Sequence, residues 1–390
     1  MSAPLSPLRT VLLAAVSLLI PALTLAQSIQ TKLAALTRDP LFRTSQLALC
    51  VYDLTADTLL FEYNAEQRMR PASTQKIITA VAALDILGPD YRISTALSRT
   101  GHIKDGILYG DLFISAAFDP TFNATSLNLF IQSLNQAGID SVAGRICADL
   151  SMKDSLQWGS GWCWDDDMPQ LTPLLFEETD SFMPQITARL RTEGIGFTTT
   201  AEAIRPDSAI LLTACTTPLT DLLQPMMKKS DNLYAEAVFY HLATHSAVPY
   251  ASRSHAAHCI DSLTSALGFV PEPFTPADGS GVSLYNYVSA RLETAYLKYA
   301  FAHKPIFNVL YPALPISGTD GTLKNRMRET DVRGCVHAKT GTVNGVSSLA
   351  GYVTTARGHL LAFCILNQGI TSAKPARQFQ DKVCRLLRSY

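Results

Sequence analysis

Ser73-Thr74-Gln75-Lys76 opens an apolar-periodic run, Ile77, Ile78, Ala80, Val81, Leu84 and Leu87, whose spacing reads as a buried helix. A serine in the first turn of that helix and a lysine one turn on share a face and lie within contact range. A free serine hydroxyl is a poor nucleophile. A neighbouring amine that gives up its proton in a desolvated pocket makes it a usable one. The pair alone is weak evidence, because Ser-x-x-Lys turns up about once by chance in a chain of this length. Two further motifs in a fixed order, Ser230-Asp231-Asn232 and Lys339-Thr340-Gly341, add the weight.

Several elements must hold these residues. Residues 28–37 read as a helix with Ile29, Leu33 and Leu36 on one face, followed by strands over 46–52 and 58–62 and then the Ser73 helix. From Ser94 the texture changes. Residues 94–100 and 107–117, separated by Lys104-Asp105-Gly106, read as a β-hairpin. A helix over 125–137 ending at Gly138 and a strand over 141–150 complete a small α+β unit. A loop rich in Trp, Gly and Asp runs from Trp158 to Asp167, before a helix around 180–192. Helical periodicity returns over 219–242 and carries the Ser230 motif at an interruption. Strands follow around Lys339, over 347–354 and over 359–366, the last two joined at Ala356-Arg357-Gly358, and a helix over 376–388 closes the chain. That last helix, with Arg385 and Arg388 beside Leu386 and Leu387, is expected to pack on the core sheet rather than lie on a membrane.

Composition narrows the setting. The chain has 390 residues, room for two or three domains. A net charge of −1 and 17% charged residues give no case for nucleic acid as a partner. The N-terminus reads as an export signal over residues 1–26: Arg9, an apolar stretch over 11–23 interrupted by Ser17 and Pro21, and Thr24-Leu25-Ala26 before Gln27. No cysteine follows that cut, which argues against a lipoprotein, and no second stretch is long enough for a stable membrane span. An exported, periplasmic protein is expected. Its eight cysteines permit disulfides, or serve as small buried hydrophobes, and are not spaced as a zinc site. His241 and His245 lie one helical turn apart, but no Glu sits between them as a metalloprotease requires, and His255 and His258 are no better. All four read as surface or core histidines, and no metal or cofactor is expected. Gly279-Ser280-Gly281 is not the five-residue nucleophile elbow and is expected to be a turn beneath the site.

The three motifs as a set resemble those of the penicillin-recognising serine enzymes. In detail the chain is similar to the D-Ala-D-Ala carboxypeptidase/endopeptidase family, the class C low-molecular-mass penicillin-binding proteins. The likeness rests on Pro71-Ala72-Ser73-Thr74-Gln75-Lys76, Lys228-Lys229-Ser230-Asp231-Asn232, Asp278-Gly279-Ser280-Gly281 and Gly318-Thr319-Asp320-Gly321-Thr322-Leu323. Gly106 to Asp111 with Asp119-Pro120-Thr121, and Gly161-Trp162-Cys163-Trp164, add to it. It runs from about residue 29 to the C-terminus. The implied fold is α+β: a transpeptidase-like domain of antiparallel sheet, flanking helices and an all-helical subdomain (27–93 and 211–390), with an inserted α+β domain over 94–210. Family members commonly carry a second insertion nested in the first. Here little separates Trp164 from the helix at 180–192, so that smaller domain is expected to be absent or vestigial.

The resemblance also implies roles. Ser73 is the acylated nucleophile, Lys76 its base and Ser230 the proton relay to the leaving group. Asn232 holds the acyl chain, Lys339 and Thr340 bind the substrate's terminal carboxylate, Gly341 allows close approach, and the backbone N–H groups of Ser73 and Thr342 form the oxyanion hole. Lys76 should be a neutral amine, its pKa drawn down by desolvation and by Lys339. The substrates would be peptidoglycan stem peptides, with β-lactams as inhibitors. Within Gly161-Trp162-Cys163-Trp164-Asp165-Asp166-Asp167, Asp166 is the candidate partner for the free amine of a diaminopimelate stem, with Asp165 next; the same run of Asp also suits a solvated turn. Two alternatives stand beside this reading. A β-lactamase would need an activator for its deacylating water, for which the sequence offers no strong candidate. A non-catalytic peptidoglycan-binding protein on this fold would not need all three motifs. The balance of carboxypeptidase and endopeptidase action, the cysteine pairing and the oligomeric state stay open.

Overall fold

Strands buried at nearly every position need cover on both faces, and the two that end the sheet region of this chain are of that kind. Val346–Thr354 and Leu360–Gln368 are buried at all but their terminal positions. The structure, a computed structural model, describes residues 29–166, 168 and 170–390. The export signal assigned to 1–26 and the third Asp of the Trp-rich loop, Asp167, lie outside the described residues.

The chain divides into two units. The first comprises the chain up to Met69, Ser289–Lys298 and Pro315–Tyr390. Its five strands form an antiparallel sheet in the order Val336–Val343, Val346–Thr354, Leu360–Gln368, Gln46–Asp53, Thr58–Tyr63. The strand that carries Lys339 is therefore an edge strand. The helix over 29–36 and the helix Ala373–Arg388 contribute Ile29, Leu33, Phe379, Val383 and Leu387 to one core with Leu49, Val51, Leu349, Phe363 and Ile365. In the closing helix the buried positions Ala376, Phe379, Gln380, Val383, Cys384 and Leu387 follow the helical period, so it packs on its sheet.

The second unit comprises Arg70–Val288 and Tyr299–Leu314. The insertion expected over 94–210 falls inside it, where a seven-stranded sheet runs from Arg92 to Pro218. Arg92–Arg99 pairs antiparallel with Leu112–Ser115 and with Ile210–Pro218. Ser141–Asp149 pairs in parallel with Ile107–Tyr109, Leu112–Ser115 and Gly196–Glu202. Parallel neighbours need crossovers, and the helices Ala124–Gln136 and Phe182–Thr192 supply them, burying Leu127, Phe130, Ile131, Ile186 and Leu190. The hairpin expected over 94–117 forms, but it is broken. Thr100 and Asp111 still pair, whereas His102–Lys104 and Ile107–Tyr109 make a separate tip. The break falls where a Cβ on Gly101 would stand 1.9 Å from the Tyr109 carbonyl oxygen and one on Gly110 would stand 2.2 Å from that of Thr100.

The helices Gln75–Ile86, Leu219–Lys228, Asn232–Ala243 and Arg253–Ala266 pack on one another in this unit. The interruption expected within 219–242 lies between Lys228 and Asn232.

Candidate active site

Pro71 sets up a tight entry to the Ser73 helix. Ala72 follows at φ +50°, the 3₁₀ turn Ala72–Thr74 carries Ser73, and the α-helix begins at Gln75. The left-handed Ala72 brings its carbonyl against the Asp278–Gly281 turn. Gly281 sits at φ +85°, and a Cβ there would lie 1.9 Å from the Ala72 oxygen. That close approach is what the glycine is for.

Lys76 is fully buried one turn beyond Ser73. Its Nζ lies 3.1 Å from Ser73 Oγ, 2.8 Å from Asn232 Oδ1 and 2.8 Å from the Ser280 carbonyl oxygen. Burial pulls its pKa from 10.5 down to about 8, while Asp278, Glu236 and Asp231 pull the other way. Desolvation thus accounts for the depression, and the like-charge effect expected of Lys339 is not needed for it. An amine so poised changes charge near neutrality while it touches a serine hydroxyl.

Asn232 begins the helix that crosses beneath Lys76. Asp231 caps that helix, its carboxylate accepting from the N–H groups of Leu233 and Tyr234 at 3.0 and 3.3 Å. Ser230 stands on the turn just before it, half-buried, at φ +64°. The Asn232 amide is used at both ends: Oδ1 accepts from Lys76, and Nδ2 donates to Met168 Sδ at 3.2 Å.

Two buried carboxylates, neither of them read from the sequence as site residues, hold the Asp278–Gly281 turn. Asp278 accepts from the Gly281 and Ser283 N–H groups at 2.7 Å each, from Asn286 Nδ2 at 2.6 Å and from the Trp162 indole at 2.9 Å. Glu236 accepts from the Ser280 N–H at 2.9 Å and from that of Gly279 at 3.1 Å. Burial, and after it the charge of Asp278, raise the Glu236 pKa to about 8. The turn expected at Gly279-Ser280-Gly281 is present, and its contribution to the site is a backbone carbonyl. Sequence carries one signal for Glu236: a carboxylate four residues after a motif asparagine, on an otherwise apolar helix face.

The Trp-rich loop is tied to the same turn. Besides the Trp162 bond to Asp278, Ser283 Oγ donates to the Ser160 carbonyl at 2.6 Å, and Leu284 N–H to that of Gly161 at 3.2 Å. Trp158, Gly159, Trp162, Cys163, Trp164, Asp166 and Met168 line a cleft of about 440 Å³. Asp166 Oδ2 accepts from the Cys163 N–H at 2.6 Å, so this carboxylate closes a turn as well as facing the cleft; Asp165 is exposed.

In the first unit, Lys339, Thr340, Gly341 and Thr342 lie along the edge strand Val336–Val343. Lys339 is buried, its Nζ 2.8 Å from the Thr340 carbonyl oxygen, and Thr340 Oγ1 lies 2.7 Å from Thr322 Oγ1. Arg377 donates to Thr342 Oγ1 at 3.2 Å.

The histidines have other work. His241 is buried between the Ala117 carbonyl, 2.7 Å from Nε2, and the Tyr91 hydroxyl, 3.1 Å from Nδ1, and burial pushes its pKa down to about 4. It is a neutral core residue. His255 Nδ1 accepts from the Ser252 N–H at the start of its helix. All eight cysteines are free thiols, and no cluster among the described residues suits a metal ion.

A serine paired with a buried amine whose proton is loosely held, over an Asp-Gly-Ser-Gly turn, is an arrangement of the penicillin-recognising serine enzymes, and the first unit by itself carries a Lys-Thr-Gly edge strand of the kind that class has. The chain belongs to the D-Ala-D-Ala carboxypeptidase 3 (S13) family, which matches residues 29–175 and 176–390; it is a peptidase. The D-alanyl-D-alanine carboxypeptidase DacB of Haemophilus influenzae is 25% identical over 89% of this chain and 92% of its own length. The D-alanyl-D-alanine carboxypeptidase of an Actinomadura species is also 25% identical, over 91% and 84%. The crystal structure of penicillin binding protein 4 (dacB) from H. influenzae matches 89% of this chain and 97% of its own, with a TM-score of 0.82 at 26% identity. The same protein has been solved complexed with a β-lactam. The predatory peptidoglycan endopeptidase Bd3459 of Bdellovibrio bacteriovorus, 17% identical with a TM-score of 0.58, shares the fold.

Proposed function

We propose that this peptidase is a serine-type D-alanyl-D-alanine carboxypeptidase and D-Ala endopeptidase that acts on peptidoglycan stem peptides in the periplasm through an acyl-enzyme on Ser73. The observation that carries the reading is the Lys76 amine, fully buried and 3.1 Å from Ser73 Oγ. In its neutral form Lys76 takes the hydroxyl proton as Oγ attacks the carbonyl carbon of the penultimate D-Ala. The backbone N–H groups of Ser73 and Thr342 hold the developing oxyanion. When the intermediate collapses the C–N bond breaks, the departing amine of the terminal residue receives its proton by way of Ser230, and the acyl group stays on Oγ as an ester. Water then hydrolyses the ester. Asn232 orients the acyl chain. Lys339 and Thr340 take the terminal carboxylate, and Gly341 leaves room for the substrate backbone along the edge strand.

A β-lactam enters by the same route, but its leaving amine stays tethered and the acyl-enzyme persists. Asp166, at the Trp-lined cleft, is the partner we assign to the diaminopimelate amine, with Asp165 second. The periplasmic site of action follows from the signal-like residues around Arg9 and Thr24-Leu25-Ala26; no helix among the described residues is long and apolar enough to cross a membrane. Digestion of purified muropeptides, read by mass spectrometry, tests the reading. Loss of one D-alanine from pentapeptides, or splitting of cross-linked dimers at the D-Ala bond, supports it; unchanged muropeptides beside intact labelling by penicillin contradict it.

A further inference from the structure

The Lys76 amine is held from two directions by a single helix. Asn232 Oδ1 touches it directly, and one helical turn on, Glu236 reaches the backbone that carries its other acceptor. Glu236 is 1% exposed. Its Oε1 lies 2.9 Å from the Ser280 nitrogen and 3.1 Å from that of Gly279, its Oε2 lies 3.3 Å from the latter, and the Ser280 carbonyl oxygen is 2.8 Å from Lys76 Nζ. The turn sits directly on the helix: a Cβ on Gly279 would stand 2.5 Å from Phe239 Cβ and 2.7 Å from the Ala235 carbonyl oxygen. Between them Glu236 and Asp278 bind the N–H groups of residues 279, 280, 281 and 283. Every one of those donors faces a carboxylate, which leaves the Ser280 carbonyl turned to the amine. Ser280 meets Lys76 through its backbone carbonyl oxygen.

We propose that Glu236 is a positioning residue for acylation, which fixes the Ser280 carbonyl and through it the Lys76 amine against Ser73. This rests on the reading of Lys76 as the base. Glu236 also acts through its charge. The charged groups that bear on Glu236 are Asp278 and Lys76; those that bear on Lys76 are Asp278, Glu236 and Asp231. All three carboxylates favour the protonated amine and oppose burial. Because Glu236 gains its charge over the same range, near pH 8, in which Lys76 loses its own, the two titrate as a coupled pair; without Glu236 the last part of the amine's titration, above that pH, is completed at lower pH.

The test is the pH dependence of acylation by labelled penicillin, measured in single turnover on wild type, Glu236→Gln and Glu236→Asp. In Glu236→Gln the amide keeps one acceptor and loses the charge. The pH at which its acidic limb levels off should move down by about 1 unit, and its plateau should fall roughly ten-fold as the carbonyl loosens. Glu236→Asp keeps the charge but is too short to reach both N–H groups, so the limb should stay within about 0.3 unit while the plateau falls. A Gln variant with the wild-type limb overturns the proposal, whether or not its rate or melting point drops, because a residue that merely fills the core would behave so. If Gln does not fold, an Asp variant with the wild-type plateau overturns it alone. Labelling that survives Ser73→Ala would mark instead a failure of the underlying reading.

Discussion

Lys76 Nζ lies 2.8 Å from Asn232 Oδ1, across 156 residues of sequence. That bond joins the first two motifs into one device. The helix that presents the nucleophile and base is locked to the helix that follows the Ser230 turn, so the hydroxyl of Ser73 and the amine of Lys76 keep their register. Among the described residues the same amine has no ion pair within contact distance. It is ringed by neutral acceptors, with the carboxylates of Glu236 and Asp278 one peptide further out. Such a ring solvates an amine without forcing it to stay charged.

Acylation should follow the neutral form of Lys76. With a pKa of about 8, most of the amine is protonated and idle at pH 6, and the neutral fraction grows with pH through 8. The rate of acylation by labelled penicillin should rise about ten-fold per unit below pH 8 and level off above it. A rate flat from pH 6 to 9 would show that Lys76 is not the titrating base.

Guanidinium does not deprotonate, so Lys76→Arg should lose nearly as much as Lys76→Ala, on the order of 10²–10⁴-fold in acylation rate. At Lys339 a permanent cation is wanted, and Lys339→Arg should retain part of the activity on D-Ala-D-Ala peptides. Steady-state peptide hydrolysis by the two Arg variants separates the roles; equal losses would contradict them.

Gly281→Ala should cost at least ~2 kcal/mol, because a left-handed backbone and a Cβ 1.9 Å from the Ala72 oxygen cannot both be kept. Relief by shifting Ala72 displaces Ser73, so labelling should fall along with the melting temperature. A variant that melts lower but labels at the wild-type rate would uncouple this turn from the nucleophile.

Asp166→Asn keeps an acceptor for the Cys163 N–H, now at 2.6 Å from Oδ2, while it removes the charge. It should lower kcat/KM on diaminopimelate peptides by roughly ten-fold and leave penicillin acylation unchanged, since penicillin lacks that amine. Equal effects on both substrates, or on neither, would count against the contact and turn attention to Asp165.

Periodicity placed the Ser73 helix and the broken helix around Ser230, and short apolar-rich runs bounded by turn residues placed the strands after Lys339, which are buried on both faces. Gly196–Glu202 does not stand out, since five of its seven residues are exposed and its sequence, GFTTTAE, has no run of apolar alternation. Its partner lies beyond a crossover helix, a pairing that no local pattern reports. Arg253–Ala266, Ala290–Ala302 and Lys304–Ala313 were likewise unread. At the site, motif spacing pointed to Ser73 and Asn232 beside Lys76, whereas Asp278 stood only as part of a motif and Glu236 as a lone carboxylate on an apolar helix face, and the work of both shows only once their burial and backbone partners are known. The depressed pKa of Lys76 was legible as a requirement of the chemistry; that burial suffices for it was not.

The central claim is that Ser73 is the residue acylated. Intact-protein and peptide mass spectrometry after brief exposure to penicillin tests it most directly. One penicilloyl adduct should appear on the wild type, on the peptide that contains Ser73, and none on a folded Ser73→Ala variant. An adduct on any other residue, or one that persists in Ser73→Ala, would contradict the account.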